Sequence, residues 1–163
     1  GDKVDTLFNA SSLNKSVTFP RPSPDGRYLM FTLVDYGNFS IWHKEADLYL
    51  LDLQSGNTCA LNEVNSPDTE SYHSWSSNSS WFVFSSRRID GLYTRPFIAH
   101  ISEKGVVGKP FLLPQSTTGF YENLMESFNI PEFVSGKVEV DPNIVEDLVA
   151  GEKGKPVESL KLQ

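Results

Sequence analysis

Residues 22–32 read PSPDGRYLMFT, and residues 75–85 read WSSNSSWFVFS. Each places a serine (Ser23, Ser76) before a short polar turn, then a hydrophobic run closed by Phe and a hydroxyl residue: Phe31-Thr32 in one, Phe84-Ser85 in the other, 53 positions on. The first turn, Pro24-Asp25-Gly26, has a mechanism. Pro presets φ, Asp bonds forward to the backbone, and Gly takes positive φ. The second has Ser77-Asn78-Ser79 instead, so Ser79 is expected to sit in a different type of turn. Tyr28 to Val34 (YLMFTLV) is nearly all apolar, the pattern of a strand covered on both faces.

Outward from these two stretches the same order of elements repeats. Ser16–Ser23 (SVTFPRPS) alternates at Val17 and Phe19, and its prolines confine it to an edge or strand end. Asp47–Leu53 reads as a third strand and Thr58–Leu61 as a fourth, with Ser55-Gly56-Asn57 turning between them. The second unit follows suit with Ser71–Ser76, Trp81–Ser86, Pro96–Ser102 and Pro110–Leu113. The third strands are aligned at an offset of 49, Leu48 on Phe97, and the fourth at 53, Thr58 on Phe111. The prediction is an all-β chain of two four-stranded antiparallel, blade-like meanders. It has a lead-in segment (1–15), a first repeat (16–66), a second repeat (67–115) and a mostly irregular tail (116–163). Asp141, Pro142 and Gly151 suit the cap, first turn and end of one short helix near 142–150. Repeated four-stranded meanders are the mark of propeller blades. Two unrelated meanders in one sandwich would give the same strand count.

The run Pro22-Ser23-Pro24-Asp25-Gly26-Arg27, then Leu29-Met30-Phe31-Thr32, then Asp47-Leu48-Tyr49-Leu50-Leu51-Asp52 resembles the WD40-like repeat of TolB-type β-propellers. The second unit keeps Trp75, Ser76, Phe84 and Ser85 of that pattern but lacks Pro-Asp-Gly. The stretches PFLLPQ and Ser127–Phe133 are similar to the C-terminal end of periplasmic TolB-like proteins of Bacteroidetes-type bacteria. The resemblance implies a partial TolB-like propeller and a periplasmic or cell-envelope location. The chain opens on Gly1 rather than Met, so the native N-terminus is expected upstream. Two blades cannot close a ring that normally needs at least about four. The chain is therefore expected either to be part of a longer propeller or to associate through its open blade edges, three copies supplying six blades.

Composition narrows the function. Of 163 residues 39% are hydrophobic and 12% aromatic, which excludes a disordered segment. A net charge of −7 argues against phosphate-backbone binding, so no nucleic-acid partner is expected. No apolar run approaches the roughly 20 residues that span a bilayer, so no membrane insertion is expected. Cys59 is the one cysteine, which excludes an intrachain disulfide and a thiolate cluster. It reads as a small apolar residue inside a strand. His43, His73 and His100 lack ligand spacing, and no G-x-S-x-G, H-E-x-x-H, P-loop or G-x-G-x-x-G occurs. Neither catalytic residues nor a metal or other cofactor are expected.

Two clusters stand out as binding candidates. Tyr36, Phe39, Trp42 and His43 fall within eight residues of one connection. They either supply binding area or cover the tail or a neighbouring blade. The second connection is RRIDGLYTR, residues 87–95. The resemblance gives Arg87 a structural role there, bonding to the backbone of an adjacent blade, and leaves Arg88 and Arg95 as candidates for an acidic partner. The leading expectation is a non-enzymatic protein-interaction or scaffold module, with a possible homo-oligomer. The alternatives are an accessory propeller of a larger envelope enzyme or electron-transfer protein, and a glycan-binding module using Tyr36, Phe39 and Trp42. Met125 to Phe133 is expected to dock on a blade through Phe128, Ile130 and Phe133.

Overall fold

The computed structural model describes residues 4–139, 141 and 144. Two compact units divide the chain after Phe133, and both sheets belong to the first. The described residues of the second are exposed. The helix expected near 142–150 lies, Ile144 apart, outside the described residues.

The chain is all-β. Strands β1 (Ser16–Pro22), β2 (Tyr28–Val34), β3 (Asp47–Asp52) and β4 (Thr58–Ala60) form one four-stranded antiparallel sheet in sequence order. Strands β5 (Glu70–Trp75), β6 (Trp81–Ser86), β7 (Arg95–His100) and β8 (Phe111–Leu112) form a second with the same meander. Among the described residues, helix beyond Ile144 is limited to short 3₁₀ turns at Ala10–Leu13 and Ser40–Trp42.

The β1–β2 and β5–β6 turns match bond for bond. Gly26 N–H donates to the Ser23 carbonyl and Ser79 N–H to the Ser76 carbonyl, both at 2.9 Å. Ser23 Oγ donates to Asp25 Oδ1 (2.5 Å) and Ser76 Oγ to Asn78 Oδ1 (2.7 Å). The backbone N–H closing each turn donates back to the serine Oγ, Tyr28 at 2.9 Å and Trp81 at 3.0 Å. The expectation of a different turn at Ser79 is therefore corrected. Asn78 offers the same acceptor as Asp25, and Ser79 adopts φ 59° where Gly26 has φ 71°.

The first strand of each sheet carries a second matched feature. Register shifts between Thr18 and Arg21 in β1, and between Ser71 and Ser74 in β5. Each bulge contains an aromatic residue at positive φ, Phe19 (53°) and Tyr72 (50°), and their rings lie 4.5 Å apart. A left-handed bulky residue is disfavoured. Its occurrence twice at equivalent places marks the bulge as a built element of the repeat.

Register decides which faces meet. Phe31 pairs with Tyr49 and Phe84 with Phe97, so the third strands correspond at an offset of 48, one less than the sequence alignment gave. The fourth correspond at 52, because Tyr49 pairs with Ala60 and Phe97 with Leu112. A slip of one residue exchanges the two faces of a strand, so this correction fixes the packing. Tyr28, Met30, Leu48 and Leu50 on one face of the first sheet pack on Phe82, Phe84, Phe97 and Ala99 of the second. The opposite face of the first sheet, Phe31, Leu33 and Leu51, is covered by Phe8 and Ala10 of the lead-in segment. Cys59 lies in β4 as read from sequence but is exposed.

Candidate interaction surface

The β2–β3 connection begins with exposed residues after Val34 and is pinned in its middle. Its 3₁₀ turn buries Ser40 and Ile41. Ser40 Oγ sits in a buried hydroxyl chain, 3.2 Å from Thr18 Oγ1 and 2.8 Å from Ser71 Oγ. Positions three apart lie on the same side of a 3₁₀ turn. Burying Ser40 and Ile41 therefore turns Phe39 and Trp42 outward together. Tyr36 and Phe39 are each 70% exposed and Trp42 is 65% exposed. His43 is half-buried, with Tyr36 edge-on at 4.7 Å and Glu45 Oε1 at 3.0 Å from Nδ1.

The β6–β7 connection stands beside it. Arg87 lies over the Trp42 ring at 5.0 Å, pairs with Asp68 at 3.5 Å and donates to the Gly91 carbonyl. Its guanidinium thus bonds to the backbone of its own connection, while its backbone N–H donates to the Thr69 carbonyl at 3.2 Å. Asp90 Oδ1 accepts from the N–H groups of Leu92 and Tyr93, both at 2.8 Å, and holds the loop so that Leu92 and Ile89 are exposed. Between the two connections a cavity of about 110 Å³ opens, lined among others by Phe39, Trp42, Tyr72, Leu92 and Asn129. A pocket for a drug-sized molecule usually has about 300–1,000 Å³. This one fits a single side chain.

Arg88 and Arg95 lie elsewhere. Arg88 pairs at 3.0 Å with Glu70, stacks over Phe97 at 4.6 Å and donates to the Val64 carbonyl and to Ser86 Oγ. Arg95, 1% exposed, donates to the carbonyls of Glu126 (2.5 Å), Leu124 (2.7 Å) and Tyr121 (3.0 Å). Both guanidinium groups are engaged inside the protein, one in the core and one beneath the tail.

Tail docking follows from Arg95. Phe128 N–H donates to the Thr94 carbonyl (3.1 Å), and Ser85 Oγ to the carbonyls of Phe128 (2.6 Å) and Asn129 (3.1 Å). Residues 121–129 are thus held mainly through their backbone. Phe128 is half-buried, whereas Ile130 and Phe133 are exposed, so the apolar side chains expected to dock the tail contribute little.

Sequence reasoning passed over Leu92 and Ile89, although apolar residues in a polar connection are the same signal that singled out Phe39 and Trp42. It also passed over Glu70. This fully buried carboxylate accepts from Ser66 N–H and Oγ, Ser86 Oγ and Arg88. Among the described residues no group of three His, Cys, Asp or Glu is placed to hold a metal ion, and no helix is long and apolar enough to cross a membrane. No protein-family model matches the chain, and no curated protein matches it significantly.

Proposed function

We propose that the chain is a non-enzymatic protein-interaction module, part of a TolB-like propeller acting in the bacterial cell envelope. The envelope assignment rests on the repeat resemblance. The interaction assignment rests on one observation: Phe39, Trp42, Leu92 and Ile89, from two separate connections, are all exposed, and Phe39, Trp42 and Leu92 border one small cavity. Aromatic side chains supply large contact area with few rotatable bonds, which suits a partner surface. The partner in this reading is a protein that inserts one apolar side chain between Trp42 and Leu92.

A photoreactive phenylalanine analogue at position 39 tests this in cells of the source bacterium. A discrete adduct with one protein, lost on Trp42→Ala and absent when the probe sits instead at the exposed Gln54, is the expected result. Absence of any adduct at position 39 overturns it. Binding on a glycan array that falls with Trp42→Ala would replace the protein partner with a carbohydrate.

A further inference from the structure

The contact between the two sheets is head-to-tail. The registers make Phe82, Phe84, Phe97 and Ala99 equivalent to Leu29, Phe31, Tyr49 and Leu51. The second sheet therefore meets the first through the face that, in the first sheet, points the other way. Two faces remain unmatched. One is the first sheet's Phe31 face, which among the described residues is covered by Phe8 and Ala10 of the lead-in segment rather than by a second sheet. The other is the second sheet's Trp81 face, equivalent to the Tyr28–Met30 face that the second sheet itself covers. Trp81 is 37% and Phe111 46% exposed, stacked edge-on at 6.4 Å, with exposed His100 against Trp81 at 4.9 Å. The tail bonds to Ser85 at one end of that face and leaves the Trp81 end open.

We infer that the chain self-associates head to tail: the Trp81–Phe111 face of one copy receives the Phe31–Tyr49 face of a second, whose Phe8 segment swings aside. The occupant is identified by the chain's own internal contact. The face needed to cover Trp81 is of the kind that already covers its equivalent, Tyr28, and a second copy carries one. A heterologous contact of this kind repeats, giving a ring if the rotation closes and a filament if it does not. Phe8 then acts as a plug. It contributes one half-buried ring, 4.9 Å from Phe31, where a whole sheet face could sit. This inference is independent of the Phe39–Trp42 surface.

Sedimentation of the 163-residue chain over a concentration series tests it. Wild type should shift from single-chain mass to twofold and higher multiples, and Phe8→Ala should do so at lower concentration. Phe111→Glu blocks one face and Tyr49→Glu the other. Each alone should weaken assembly by more than tenfold, while their equimolar mixture should stop at twice the single-chain mass. If Tyr49→Glu fails to fold by circular dichroism, Leu53→Glu on the same face takes its place. A single-chain mass for both wild type and Phe8→Ala at every concentration overturns the inference. So does assembly undiminished by Phe111→Glu, or a mixture that stays monomeric while wild type assembles.

Discussion

Ser79 Oγ accepts a hydrogen bond at 3.0 Å from the backbone N–H of Asp25, tying the second sheet's turn to the first sheet's. The residue that replaces glycine in the repeat is thus one of those that join the repeats. Its side chain offsets the unfavourable left-handed backbone, which costs about 1–2 kcal/mol in a residue with a Cβ. Ser79→Ala keeps that cost and loses the bond, so it should destabilise by about 1 kcal/mol in urea unfolding. Ser79→Gly loses the bond but relieves the backbone and should be nearly neutral. At Gly26 a Cβ would meet nothing within 4 Å, so Gly26→Ala should cost about 1–2 kcal/mol through conformation alone.

Phe31 and Phe84 occupy equivalent positions in β2 and β6, and both are buried. Truncation to Ala should cost about 3–5 kcal/mol where the surroundings cannot collapse. Phe84 lies between two sheets, near Phe82, Phe97 and Arg88. Phe31 is capped on its outer face by Phe8 and Ala10 of the lead-in segment rather than by a second sheet. Chemical denaturation should therefore show a larger loss for Phe84→Ala than for Phe31→Ala.

Arg95 is the anchor of residues 121–126. Arg95→Leu removes donors to three carbonyls and should raise amide hydrogen exchange across residues 120–129, with β2 and β3 unchanged. Arg88→Ala should act differently. It leaves the Glu70 carboxylate buried without its cation, a change that typically costs about 3–5 kcal/mol, and should lower global stability without freeing the tail.

A buried histidine and a half-buried aspartate give opposing responses to acid. Burial holds His73 down to about 4 from its usual 6.5, with Nε2 against the Met30 carbonyl and Nδ1 without a partner. Above pH 6.5 the ring is neutral folded or unfolded. As pH falls from 6.5 towards 4 the unfolded chain takes the proton first, and up to roughly 3 kcal/mol of stability is lost. Burial, helped by nearby Glu70, raises Asp47 to about 6 from 3.8. Here the folded chain takes the proton first, so stability is gained as pH falls from 6 towards 4. Asp47→Asn removes that gain. The variant should be more stable than wild type above pH 6 and should lose stability more steeply below it, as measured by urea midpoints between pH 4 and 7.5.

Strand order, turn positions and the equivalence of Ser23 with Ser76 and Phe31 with Phe84 could be read from the chain alone. They are local: a polar turn of fixed length and an apolar run leave a periodic trace whatever they pack against. The aromatic connection was legible for the same reason, since Phe39 and Trp42 break the polarity expected of a loop. What residues 87–95 do was not legible. An arginine in a loop has the same sequence signature whether it meets a partner, pairs with a buried Glu70 or gathers the carbonyls of 121–126. Only the fold brings those groups within hydrogen-bond reach. The third and fourth strand registers also needed the tertiary structure, because a one-residue shift leaves the apolar pattern nearly as good while exchanging the faces. That exchange decides which face of each sheet meets the other sheet.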